Sequence, residues 1–282
     1  MIVITTFTAC SKNDDNTPTK KEQPQQTTPQ TKPDSSEQSD PAPKDPQPES
    51  EDPQTPDLNV PSPIPYITLT TWLTTGREID IWIENAPEDH TDVWVDTNND
   101  DVKQDRETYT KFGSLQSFVI KEHQTFKIYG KIPQLYISGL NHIDTSHNPY
   151  LKNFTCIGDL KTITLDNPKM EKLSLAGNRL TTLDLSKVPN LKVLHCYDNL
   201  LTSLDVSPLK QLNYLICLEQ KEDELGKKKR VLSQEVINQL IQNLPNRSGQ
   251  TEKGTIAMEH SHLSSQQKEA LKAKGWTTKE GS

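Results

Sequence analysis

An α/β solenoid of short parallel strands, mostly β, with a β unit ahead of its coils and a helix-containing cap behind them, is the fold class this sequence predicts. Three observations carry that expectation. Segments of 19 to 21 residues repeat their apolar positions between Ile132 and Gln211. Upstream, short runs alternate apolar and polar residues with the period of two that marks half-buried strands. Downstream, two stretches place apolar residues at helical spacing. The 282 residues divide accordingly into an apolar leader (1–10), a Pro-rich linker (11–63), a β unit (64–125), the repeats (126–225) and a C-terminal cap (226–282).

Met1 to Cys10 reads MIVITTFTAC, the back half of a secretory signal peptide whose lipobox would place a lipid on Cys10. From Ser11 to Asp57 Ala42 is the only apolar side chain apart from proline, and thirteen of the twenty prolines lie between Pro18 and Pro65. Such a composition cannot bury enough surface to offset its ordering entropy, so a disordered tether is expected. At ~3.1 Å per residue it would reach on the order of 100 Å. The tether holds eleven Asp/Glu against five Lys/Arg, which leaves the rest of the chain at −2 of the total −8 and argues against a nucleic-acid-binding domain. No run of 18 apolar residues exists to span a membrane as a helix. Ser11-Lys12-Asn13-Asp14-Asp15 resembles the acidic export signal of surface-displayed Bacteroidota lipoproteins. That resemblance implies a lipid anchor on the outer face of the outer membrane, with the membrane touched only through the lipid.

Strands are expected at Ile64–Thr71, Glu78–Glu84, Asp92–Val95 and Phe118–Lys121, leading into Phe126–Gly130 as a first, atypical rung. Between them, Asp96, Asn98, Asp100, Gln104 and Glu107 fall at positions 1, 3, 5, 9 and 12 of a twelve-residue segment, the oxygen-ligand spacing of a calcium loop. Position 6 is Asp101 where such a loop normally has glycine. A structural Ca²⁺ is the only cofactor this spacing points to, with a solvated acidic turn as the alternative.

Four segments align: Ile132–Tyr150, Leu151–Lys169, Met170–Asn190 and Leu191–Gln211, with a fifth opening at Leu212 as LNYLICLEQ and breaking off. The third and fourth match LxxLxLxxNxLxxLDxS almost completely, with Met170 and Cys196 each in place of a leucine. On these residues the chain resembles a leucine-rich-repeat protein of the short, cysteine-containing, internalin-like type, over about a third of its length. The resemblance implies a solenoid that recognises partners. Each coil is unable to bury its apolar face alone. Leu135, Phe154, Leu173, Leu194 and Leu215 are expected to stack as one interior column, and Ile137, Cys156, Leu175, Cys196 and Cys217 as the next. Asn178 and Asn199 turn inward to satisfy backbone groups at the bend, while Leu183, Leu185, Leu204 and Val206 form the opposite wall. The first two coils carry Leu140 and Asp159 in place of the asparagine. The cysteines read as small buried hydrophobes, though Cys196 and Cys217 on adjacent rungs are near enough to bridge.

Side chains alternating with these columns would form a concave face: Gln134, Tyr136 and Ser138; Asn153, Thr155 and Ile157; Lys172, Ser174 and Ala176; Val193, His195 and Tyr197; Tyr214, Ile216 and Leu218. The last two rungs are apolar and aromatic. Tyr136, Val193, His195, Tyr197, Tyr214, Ile216 and Leu218 are therefore the candidate ligand-binding residues, unless the C-terminal cap folds over them. In that cap a helix is expected over Ser233–Asn243, a strand over Thr255–Met258, and a helix over Ser264–Lys274 that opens with a Ser-x-x-Gln capping pattern and closes at Gly275, with Trp276 packing back.

Catalytic motifs are missing: there is no GxSxG, no HExxH and no glycine-rich phosphate loop. His142, Asp144 and His147 are expected in solvent on the first coil, His260 and His262 in a surface loop, and Gly226–Arg230 (GKKKR) as an exposed connection. The sequence thus reads as a monomeric, non-enzymatic binding module for a protein or glycan, anchored at the cell surface. An accessory lipoprotein of a glycan-uptake system is the alternative.

Overall fold

The computed structural model describes residues 64–84, 92–121, 124–217, 219–222, 229–258 and 263–280. Contacts separate the chain into residues 1–58 and 59–282, and every described residue lies in the second unit. Cys10, the tether, Leu218, His260, His262 and Gly226–Lys228 fall outside the described residues.

Ahead of the repeats the chain forms β1 (Tyr66–Thr71), β2 (Glu78–Ile83), β3 (Trp94–Asp96), β4 (Leu115–Val119) and β5 (Thr125–Tyr129). Across the repeats follow β6 (Gln134–Ser138), β7 (Leu140–Asp144), β8 (Asn153–Ile157), β9 (Thr162–Thr164), β10 (Lys172–Ser174), β11 (Val193–His195) and β12 (Tyr214–Ile216). The rest is β13 (Glu219–Lys221), β14 (Lys229–Val231), α1 (Gln234–Asn243), β15 (Gly254–Met258), α2 (Ser265–Ala273) and β16 (Trp276–Glu280).

Nine of the described strands form one sheet, in the order β16-β15-β12-β11-β10-β8-β6-β2-β4. From β6 to β16 every neighbour is parallel. One strand from each repeat enters this sheet, which places like positions beside like. Leu135, Phe154, Leu173, Leu194 and Leu215 are in register and buried, and so are Ile137 and Cys156, with Leu175, Cys196 and Cys217 buried one step beyond the paired residues. The three cysteines are free thiols. Burial pushes Cys156 and Cys196 up to about 12, and burial with the neighbouring Cys196 raises Cys217 as well.

A second sheet runs β3-β5-β1-β7-β9. Here Phe126–Gly130 corrects an expectation. It is no parallel rung: Phe126–Tyr129 belongs to β5, antiparallel between β1 and β3, and the parallel ladder starts at Gln134. The upstream strands divide between the two sheets: β2 and β4 extend the first, and β1, β3 and β5 extend the second. Alternation fixes which face of a strand is buried but not which sheet receives it. Ile81 and Ile83 lie opposite Ile137 and Leu135, prolonging both interior columns.

Where the repeats leave the sheet, Asn178 and Asn199 are buried. Asn178 donates to the carbonyls of Cys156 and Leu175 at 2.8 and 2.9 Å and accepts from Leu160 N at 3.1 Å. Asn199 donates to Leu175 and Cys196 and accepts from Leu180 N. Gln220, one repeat further on, occupies the same station, donating to Cys196 and Cys217 and accepting from Leu201 N. A second buried pair, Asn148 and Asn167, ties the other side of the first two coils: Asn167 donates to Thr145 and Asn148 carbonyls at 2.9 Å, and Asn148 to Gly130 at 2.9 Å. Val188 and Leu209 are the buried residues at that place in the next two coils. Of the expected substitutes for the asparagine, Leu140 is buried at the start of β7, and Asp159 ion-pairs with Arg179 at 2.8 Å.

The helices form where capping and apolar spacing place them. Ser233 caps α1, and Ser264 with Gln267 makes a reciprocal capping box on α2. Both bury one face, α1 through Ile237, Leu240 and Ile241 and α2 through Leu271. Trp276 is buried, donates to Pro245 O at 2.9 Å, and lies so near Gly254 that a Cβ there would stand 2.4 Å from its ring. β16 has no counterpart among the sequence expectations.

The asparagine column makes a direct prediction. Asn199→Ala strands several buried backbone groups and is expected to cost about 2–4 kcal/mol, read from denaturant melts. Exposed Asn190→Ala is expected to cost well under 1 kcal/mol.

Candidate functional site

Side chains opposite the core make an outer face nine strands wide. Its central row runs in register across β4, β2, β6, β8, β10, β11 and β12: Leu115, Trp82, Tyr136, Thr155, Ser174, His195 and Ile216. A flanking row holds Gln134, Asn153, Lys172, Val193 and Tyr214. On the other side Ser117 pairs with Asp80, and Ser138 with Ile157.

The candidate residues sit on this one face but in two environments. Val193, His195, Tyr197, Tyr214 and Ile216 are all half-buried, so solvent reaches each of them. Hydrogen bonds from the helices run elsewhere, from Asn243 to Asp205 and from Gln267 to Gln234 and Asn238. The greater apolar exposure lies at the opposite end, where Leu115 is 53%, Val119 47%, Ile157 43% and Tyr136 36% exposed. Of these, sequence reasoning named Tyr136 as a candidate and put Ile157 on the face. It missed Leu115, Val119 and half-buried Trp82 because they lie outside the repeats. The legible signal was EIDIWIE, an alternating strand with a tryptophan on its polar side.

Two polar chains brace this exposed end. Asn153 donates to Gln134 at 2.8 Å and Gln134 to Glu84 at 3.1 Å, while Ser117 Oγ donates to Asp80 at 2.7 Å. At the other end the His195 ring meets Tyr214 edge-on with centroids 5.5 Å apart, and its Nε2 is buried with no partner in the structure. Desolvation holds the imidazole below its ordinary pKa.

The 96–107 segment folds as a compact turn. Asp96 is buried and accepts from Asp100 N and Asp101 N at 3.2 and 2.9 Å; its burial raises its pKa more than those bonds lower it. Asn98 and Gln104 both donate to Asp100 Oδ2, at 2.7 and 3.1 Å. Glu107, buried, accepts from Thr97, Gln104 and Lys121. Asp101, at the glycine position, has φ +59° and is held by Lys127 and Tyr129. Burial first, then the bond to Asp101, pushes the Tyr129 phenol up to about 12. The structure thus gathers Asn98, Asp100 and Gln104, while Asp96 bonds the backbone of Asp100 and Asp101, and Glu107 bonds Thr97, the Gln104 backbone and Lys121. Among the described residues no group of three or more His, Cys, Asp or Glu is arranged to hold a metal ion.

His142 bonds Thr162, His147 stacks on Tyr66, and Asp144 accepts from Ser146 N. These three do not converge on a common centre in the bonds they make.

Residues 168–211 match the family described as Leucine Rich repeats (2 copies). Among solved structures the chain is similar to the functional domain of InlJ from Listeria monocytogenes, which includes a cysteine ladder. Identity is 23% and the TM-score 0.33, over 48% of this chain and 28% of that one. No curated protein matches the sequence. The chain carries leucine-rich repeats, and it is built mostly of strands with few helices.

A lowered histidine pKa means that the folded protein binds fewer protons than the unfolded chain below the ordinary value of 6.5. The stability that neutral His195 permits is present above that value and is lost as pH falls toward the folded pKa. His195→Gln is therefore expected to flatten the acid side of the melting-temperature profile. An unchanged profile would place the proton uptake on other groups.

Proposed function

We propose that this chain is a non-enzymatic recognition module that binds a protein through the outer face of its nine-stranded sheet. One observation carries the proposal: Leu115, Tyr136 and Ile157 stand exposed on a face continuous with Val193, His195, Tyr197, Tyr214 and Ile216. Contiguous apolar area of that kind marks interaction sites on soluble surfaces. Leucine-rich repeats generally bind protein ligands, which favours a polypeptide over a sugar. In this reading the repeats form a solenoid closed by the upstream strands and the C-terminal helices. Cys10 bears the lipid that anchors it to the outer membrane facing outward, and the tether gives it reach as an adhesin-like monomer. A glycan held for an uptake system is the second reading, favoured by the aromatic row beside planar Glu84, Gln134 and Asn153.

Parallel protein and glycan arrays probed with the labelled chain separate the two. Protein signal is expected, falling about tenfold or more in Tyr136→Ala/Ile157→Ala and in Tyr197→Ala/Tyr214→Ala with folding unchanged. Signal on glycans alone would transfer the function to the second reading. On intact cells, added protease is expected to remove the protein, and Cys10→Ala to release it from the membrane fraction. Survival of the protein under protease would turn it inward.

The 96–107 turn is proposed as a calcium-responsive element. Its donors are carboxylates and carboxamides, and Asn98 Oδ1 is buried without a partner beside Asp100. Calcium is expected to raise the melting temperature, and Asp100→Asn to abolish that rise. Equal melting in calcium and in chelator overturns the proposal.

A further inference from the structure

The free edge of the nine-stranded sheet is β4, since among the described strands it pairs with β2 alone. Its register with β2 decides which backbone groups are free. Ile120 N donates to Arg77 O at 2.9 Å, and the pairs opposite one another continue as Ile79 with Phe118 and Ile81 with Gln116. In an antiparallel ladder bonded and non-bonded pairs alternate. Glu78–Val119, Asp80–Ser117 and Trp82–Leu115 are therefore the non-bonded pairs, and the N–H and C=O groups of Leu115, Ser117 and Val119 point away from the sheet. Beside them the Thr108–Lys111 segment is satisfied through the Gln116 side chain, which accepts from Thr110 N and Lys111 N and donates to Thr108 O. Among the described residues no backbone group bonds the outward N–H and C=O groups of Leu115, Ser117 and Val119.

Exposed strand edges are normally blunted by lysine, proline or a bulge. The opposite edge strand, β16, carries Lys279 and Glu280. Leu115–Val119 reads LQSFV, with no charge, no proline and an unbroken register. The face adjoining this edge is acidic. Glu78, Asp80 and Glu84 project from β2 on the side of Trp82, and no lysine or arginine stands on the outward side of β4, β2, β6 or β8.

We infer that β4 is an addition site for an extended polypeptide of a partner protein, one whose every second residue, the set that shares the outer face, is in turn apolar and Lys or Arg. Its backbone pairs with Leu115, Ser117 and Val119, its apolar side chains pack on Leu115, Val119 and Trp82, and its cations face Glu78 and Asp80. Charge complementarity selects this occupant over a second copy of the chain, which would bring one uncompensated acidic face beside another. The inference deepens the recognition function proposed above and rests on it.

The test uses the full chain and a fluorescent peptide, Val-Thr-Lys-Thr-Val-Thr-Lys, read by anisotropy, with Val-Thr-Glu-Thr-Val-Thr-Glu as its counterpart. Binding of the lysine peptide alone is expected. Ser117→Pro deletes an outward N–H, leaves the backbone bonds to β2 in place, drops the Oγ bond to Asp80 and should weaken binding at least about tenfold. Ser117→Ala, which keeps the N–H and drops only the Oγ bond to Asp80, should bind about tenfold or more tighter than Ser117→Pro. Leu115→Lys/Val119→Lys weakens binding by the same measure and serves if the proline variant does not fold. Asp80→Lys should shift preference toward the glutamate peptide. Lysine-peptide binding that survives both edge variants, or no binding at all, overturns the inference. So does a concentration-dependent dimer that Ser117→Pro dissolves, which would make the second copy the occupant. If the edge variants keep full signal on the protein array while Tyr136→Ala/Ile157→Ala loses it, the edge assignment falls and the recognition function stands.

Discussion

A chain that turns out of a strand inside a dry interior leaves carbonyls and amides that no sheet neighbour can reach, and each one left unpaired would cost on the order of 1–3 kcal/mol. The column Asn178–Asn199–Gln220 answers this constraint. Every member donates to the coil before it as well as to its own, and accepts from the preceding coil's backbone. The amide carries two donor hydrogens and an acceptor oxygen on one short side chain, where a hydroxyl has a single donor. Because each member spans two coils, register is set by hydrogen bonds as firmly as by apolar stacking. A slip of one residue would put the amides against leucines and strand the backbone together.

The same constraint accounts for how the first coils differ. They lack an amide at that station, with Leu140 and Asp159 there, and instead place Asn148 and Asn167 on the opposite side of the coil. That is where β7 and β9 make the second sheet, so in those coils both walls are hydrogen-bonded strands. Once Val188 and Leu209 replace the second pair of amides, the far wall loses its strands and becomes an apolar return segment. Polar satisfaction moves from one wall to the other along the chain while the leucine columns stay continuous.

Most of the repeat region was legible because its chemistry is periodic. A column of leucines at fixed spacing allows few arrangements, and Asn178 and Asn199 declare the turn. Gln220 was missed because it is a glutamine in a segment whose other landmarks fade after Cys217. Phe126–Gly130 was misjudged because five alternating residues satisfy either an antiparallel strand or a parallel rung, and only long-range pairing distinguishes them. The helices were legible from their caps, Ser233 and Ser264, whereas β16 was not, since TTKE has no buried alternation of its own. For the candidate site, alternation gave the outward residues of each repeat. It could not give their neighbours from β2 and β4, whose place in the sheet is a tertiary fact.

That tertiary fact changes where recognition chemistry concentrates. Within the repeats, outward side chains near β11 and β12 are large, and they partly cover one another, as His195 and Tyr214 do edge to edge. On β4 Ser117 separates Leu115 from Val119, and on β6 Ser138 follows Tyr136, so Leu115 and Tyr136 each stand clear of a flanking serine. Exposure of an apolar group therefore follows from its neighbours' size rather than from its own hydrophobicity. The antiparallel strands that close the N-terminal end of the ladder also leave β4 as its last described strand. Closing the core and presenting a free strand beside an acidic, aromatic face are two consequences of one topology.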